Sequence, residues 1–212
     1  DTSILQEAAI ASPAFVFPYR TETVSALDWA VSKNNSWKFK YYLALNYGAI
    51  QRDEDAMRLL RQCGTEPDYA PFYLARAAML RPMTNEQVLS DLLAAQKITP
   101  DDWRTAVRLI DYYERNGDDK TALTIATNAY KKDRENSIVG IRYAQALINN
   151  GQYSASLKAL ESMTVLPNEG ASIGKVVYEQ SALFLAMDMM KKKRYNEALK
   201  YIEKSKSYPE NL

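Results

Sequence analysis

The chain has 212 residues, 47% of them apolar, and its 27 basic and 26 acidic side chains leave a net charge of +1. That length can bury a substantial core, while the near-neutral balance excludes a field strong enough to specify nucleic acid or an acidic membrane surface. Histidine is absent and Cys63 is the one cysteine, so Ser–His–Asp and Cys–His nucleophiles, imidazole metal sites, thiolate clusters and an internal disulfide are all excluded.

The opening run ILQEAAIASP (4–13) reads as the last two turns of a helix whose partner is missing. The first residue is Asp1 rather than Met, so we expect a processed chain or a segment that begins inside a repeat. An apolar end face at Ile4 and Leu5 then follows, to be covered by an upstream part of the same protein or by weak self-association. FVFPYR (15–20) reads as an extended linker, and a single helix over about 21–33 places Val24, Leu27, Ala30 and Val31 on one face. Helix pairs are expected at about 37–50 and 53–63, 69–81 and 85–98, 101–116 and 119–132, 135–149 and 153–163, and 172–192 and 195–206. Half repeats thus fill 1–36, and hairpins occupy about 37–66, 67–100, 101–134, 135–167 and 171–208 of one solenoid over 1–212. Thr84 or Asn85, and Asp101–Asp102, are placed to cap helix N-termini. No apolar run of about 18 residues reads as a membrane span.

LALNYGAIQRDEDAMRLL (43–60), LIDYYERNGDDKTALTIA (109–126), YAQALINNGQYSASLKAL (143–160) and LAMDMMKKKRYNEALKYI (185–202) spell one helical hairpin four times. Ala56, Val88, Ala122, Ser156 and Ala198 take the small position of the second helix at intervals of 32, 34, 34 and 42. Gly117 and Gly151 stand in the turn, where Arg52 and Lys193 replace them, and those two turns are expected to close differently. The pattern resembles the tetratricopeptide repeat, which implies an all-α, right-handed α-solenoid. Phrases such as WKFKYYLAL (37–45), PDYAPFYLARAA (67–78), LPNEGA (166–171) and YPENL (208–212) resemble the helical C-terminal region of large bacterial proteins with an N-terminal β-rich domain of unknown function.

GASIGK (170–175) is not a phosphate loop, since three residues separate the glycines and Val176 follows the Lys. The carboxylates of Asp53–Asp55, Asp101–Asp102 and Asp118–Asp119 open helices and read as caps. We therefore expect no enzyme and no cofactor or metal, but a scaffold for protein–protein interaction or a spacer, whose concave groove takes an extended acidic peptide or another domain of the same protein. The first helix of each pair is expected to line an inner face carrying Tyr41, Phe72, Tyr73, Arg76, Arg104, Arg108 and Arg142. Arg108 and Arg142 lie one period apart, and such a guanidinium ladder suits an extended acidic segment. The competing reading is a hydrated wall neutralised by Asp111 and Glu114. A rival from another class is an accessory module of a carbohydrate-active protein, with Trp29, Trp37 and Trp103 stacking on sugars, although core packing is the expectation for all three.

Overall fold

A computed structural model describes residues 2–15, 21–80, 86–165 and 171–207. Most of the FVFPYR linker, the Thr84 and Asn85 caps, most of LPNEGA, and YPENL lie outside them. Among the described residues every regular element is helical. The chain divides into two compact units, Asp1–Pro100 and Asp101–Leu212.

The first unit holds α1 (Thr2–Ile10), α2 (Thr21–Lys33), α3 (Trp37–Ala49), α4 (Asp53–Gln62), α5 (Ala70–Met79) and α6 (Glu86–Ile98). α3 pairs with α4 and α5 with α6, while α2 packs on α3. Its core is aromatic: Tyr41 meets the rings of Trp37, Tyr42, Tyr69 and Phe72 at centroid distances of 5.6–6.3 Å. Phe72 also meets Trp37 edge-on at 6.0 Å, so bulky rings fill the space between α3 and α5. Leu5 is buried but Ile4 is exposed, so only half of the expected N-terminal end face is open.

The second unit holds α7 (Trp103–Arg115), α8 (Asp119–Lys132), α9 (Ser137–Asn149), α10 (Tyr153–Glu161), α11 (Ala171–Lys191) and α12 (Tyr195–Lys206). Successive helices pack on one another, and the first helices of the pairs also touch, α7 with α9 and α9 with α11. The small positions Ala56, Val88, Ala122, Ser156 and Ala198 are all buried, as close helix crossings require. Ser156 uses its site for a hydroxyl pair with Ser181 at 2.8 Å, next to the carbonyls of Ala144 and Val177. The eight residues by which the last interval exceeds the two 34-residue intervals lengthen α11 at its start. There Val177 and Tyr178 pack with Met163 and Val165, over ground that the short α10 leaves uncovered.

Four hairpin turns share one backbone geometry, contrary to the expectation that two would differ. Arg52, Asp118, Gln152 and Arg194 donate N–H bonds to Tyr47, Tyr113, Leu147 and Met189, five residues back, at 2.8–2.9 Å. The residues before them, Gln51, Gly117, Gly151 and Lys193, have φ of 63°, 75°, 72° and 58° and bond three residues back. This is the Schellman closure, in which a left-handed residue ends the helix. The left-handed position in the first turn is Gln51, one residue before the Arg52 singled out by sequence. In the two turns without glycine the next residue is an arginine bonded to the third residue of the following helix: Arg52 to Asp55 at 2.8 Å and Arg194 to Glu197 at 2.5 Å. The Arg52 bond holds the Asp55 carboxyl below its ordinary range.

Candidate functional site

The residues expected on an inner binding face separate into a buried set and an exposed set. Tyr41, Phe72, Tyr73 and Arg76 are buried in the core of the first unit, which corrects the expectation of an open face there, and Arg76 reaches only the floor of a cleft of about 280 Å3 that it lines with Arg61 and Gln87. The physical reason is α3, which is buried around nearly its whole circumference, Trp37, Phe39, Tyr41, Tyr42, Leu43 and Tyr47 included. Repeat register alone places Tyr41 on the inner face, but a helix buried nearly all round, Lys40 and Asn46 included, has no broad solvent side.

Arg76 is 5% exposed and makes a two-pronged pair with Asp91, Nε to Oδ2 at 2.9 Å and Nη2 to Oδ1 at 2.6 Å. Its Nη1 donates to the carbonyl of Leu60 in the last turn of α4 at 3.3 Å and to that of Gly64, just beyond the helix, at 2.7 Å. The guanidinium lies 5.0 Å and 5.4 Å from the ring centroids of Phe72 and Tyr73. Tyr73 donates its hydroxyl to the Pro67 carbonyl at 2.9 Å, and burial raises its phenol pKa against the pull of Arg76. Gln87 completes the group by donating to Asp91 at 3.0 Å. Asp91 and Gln87 escape a sequence reading of the site, although an aspartate in the Val88–Leu92–Ala95 stripe demands a buried cation.

The exposed set lies on the second unit. Asp102 caps α7, accepting from the N–H groups of Arg104 and Thr105, so Trp103 and Arg104 emerge at a fixed point. Arg104 lies 4.6 Å from the Trp103 centroid and 3.6 Å from Asp102. One turn on, Arg108 is exposed and forms no ion pair among the described residues. Arg142 of α9 meets Asp111 of α7 at 3.3 Å, and Asn149 donates to Glu114 at 2.9 Å. Burial holds the Glu114 carboxyl above its usual range, with Arg142 opposing and Asp111 adding to the rise. Asp111 thus neutralises Arg142 and Asp102 lies within ion-pair distance of Arg104, which leaves Arg108 as the arginine of the three with no ion pair among the described residues. A cleft of about 330 Å3 is lined by Trp103 at the start of α7 and by Asp133, Glu135, Asn136, Ser137 and Ile138 around the start of α9.

Trp37 is buried and Trp103 half-buried, but Trp29 is 47% exposed, so core packing does not extend to Trp29. Among the described residues no cluster of metal-binding side chains occurs and no helix is long and apolar enough to cross a membrane. Cys63 is buried, with its thiol 3.3 Å from the Leu59 carbonyl.

No protein-family profile matches the chain, and no curated protein sequence does. Solved structures do. The crystal structure of YrrB, described as a TPR protein with an unusual peptide-binding site, superposes with a TM-score of 0.64 at 12% identity, over 86% of this chain and 91% of that one. Structures of MamA superpose at 0.61 and 0.58, with 12% and 14% identity, over 80% and 82% of this chain and 89% and 96% of theirs. The chain has the tetratricopeptide-repeat fold, an all-α solenoid class.

Proposed function

We propose that this chain is a non-enzymatic scaffold for protein–protein interaction, and that the α7–α9 face of the second unit receives an extended acidic segment through Arg104, Arg108 and Arg142. The observation that carries the reading is Arg108, an exposed guanidinium without an ion-pair partner among the described residues, one turn from Arg104 on the same helix. A guanidinium in that state binds a carboxylate in two-pronged fashion without first breaking an internal pair. A structurally similar protein described as having a peptide-binding site supports the class of ligand. Tyr41, Phe72, Tyr73 and Arg76 hold the first unit together and take no part.

A fluorescent twelve-residue peptide rich in Asp and Glu tests the reading by anisotropy titration. Arg108→Glu with Arg142→Glu is expected to weaken capture at least about tenfold. Raising salt past physiological strength, where screening acts within about 8 Å, is expected to weaken it further. Binding unchanged in that variant, or equal for a lysine-rich peptide, defeats the reading and leaves a spacer.

A further inference from the structure

Three residues of the last hairpin are exposed although their counterparts one repeat earlier are buried. The 42-residue step that carries Ser156 onto Ala198 also carries Ile141, Ile148 and Leu157 onto Leu183, Met190 and Leu199. The first three keep 5%, 7% and 4% of their surface, the second three 38%, 52% and 57%. What covers the earlier set is α11, whose Val177, Tyr178, Ala182 and Leu185 share one core cluster with it. The chain itself therefore displays the kind of element that fits this face: a helix that presents an apolar stripe with a small residue, Ala182, at its centre.

The pattern along α11 agrees. Ile173, Val176, Leu183, Met187 and Met190 are exposed. With Gln180 between Val176 and Leu183 the spacings run 3, 4, 3, 4, 3. That is the seam of a helix packed lengthwise on another helix, and it extends about 26 Å. Tyr195 and Leu199 of α12 widen it.

Charge selects among helices. Residues 171–207 carry eight basic and four acidic side chains, with Lys191, Lys192, Lys193 and Arg194 in sequence at one end. Two copies meeting through this face would bring like charges together, whereas a helix with acidic borders gains attraction on approach. We propose that the α11–α12 face is a docking site for an acidic amphipathic helix of a partner, seated as α11 is seated on α9 and α10. This surface is distinct from the α7–α9 arginines and does not rest on them.

The probe is a synthetic 21-residue peptide that repeats the residues of Val177, Tyr178, Ser181, Ala182 and Leu185 at their places in α11 and carries glutamate and alanine elsewhere. It is titrated by anisotropy onto the full 212-residue chain. Saturable one-to-one binding is expected, weakened at least about tenfold by Leu183→Gln with Met190→Gln, and weaker for a peptide with lysine in place of glutamate. Arg108→Glu is expected to leave it unchanged, which separates this site from the proposed groove. Circular dichroism checks the fold of the double variant, and Leu199→Gln alone repeats the test if that variant does not fold. Absent binding, or binding indifferent to these substitutions, overturns the proposal. A dimer seen in sedimentation and dissolved by the same substitutions also overturns it, because a second copy is then the occupant.

Discussion

Gln51 and Gly117 hold the same left-handed backbone at the same point of two hairpins, with φ of 63° and 75°. Both turns are closed by the same pair of hydrogen bonds, three and five residues back, so the closure belongs to the backbone and its cost depends on the residue. A side chain in that region costs about 1–2 kcal/mol, partly offset by its lower freedom in the unfolded chain. Gln51→Gly and Lys193→Gly are each expected to stabilise by about 0.5–1 kcal/mol, and Gly117→Ala and Gly151→Ala to destabilise by a similar amount. Nothing lies within 4 Å of a Cβ built on either glycine, so the effect is one of backbone alone. Urea midpoints of the four variants check this, and an unchanged midpoint on adding glycine counts against it.

Removing one partner of the Arg76–Asp91 pair leaves an uncompensated charge beside Phe72, Tyr73 and Leu60. Arg76→Ala or Asp91→Asn is expected to cost about 3–5 kcal/mol, against a much smaller cost for Arg76→Met with Asp91→Leu. Thermal melts of the singles and the double test the pair. Equal losses in all three would show that packing, not charge, dominates.

At the helix crossings volume is the constraint. Ala122→Phe is expected to destabilise by about 1–3 kcal/mol through overpacking. Ser156→Ala is expected to cost no more than about 1 kcal/mol, because two hydroxyl protons serve three contacts at 2.8 Å and one contact always goes without. Adding Ser181→Ala removes both polar groups and should recover most of that loss, as a double-mutant cycle would show.

Burial pushes the Cys63 thiol up from its ordinary 9.0 to about 11, with Lys40 and Arg76 opposing. The buried phenols of Tyr41 and Tyr42 are shifted upward for the same reason. From about pH 9 upward the unfolded chain releases protons that the folded chain keeps, so stability is full below pH 9 and falls as pH rises toward 11. Urea melts at pH 8 and pH 10.5 should show the drop, and Cys63→Ala should show a smaller one. At pH 8 alkylation of Cys63 in the native protein should be roughly a hundredfold slower than in denaturant, following the thiolate fraction.

The helices were legible because hairpin turns and small crossing residues recur in register, and each boundary shared by pattern and structure lies at such a signal. Asp102 and Gly151 show this well. The face proposed for binding was legible only in the second unit, where α7 alternates Arg104, Arg108 and Asp111 with buried Thr105, Leu109 and Ile110. In the first unit register assigns a side to Tyr41 and Arg76 but cannot report that the rings of α3 and α5 fill that side. The partner of Arg76 comes from a different helix, which no local pattern encodes. The open seam of α11 was present in the sequence as a 3–4 spacing, yet its exposure depends on which neighbours follow.

The lengthened start of α11 sets a limit on interchange among the hairpins. Gly117 and Gly151 are equivalent joints 34 residues apart, so the segment between them is a standard part that a homologous hairpin can replace without altering either end. The α10–α11 segment is bespoke. A hairpin of ordinary length grafted there would bring no counterpart of Val177 and Tyr178, and Met163 and Val165 would be left facing water.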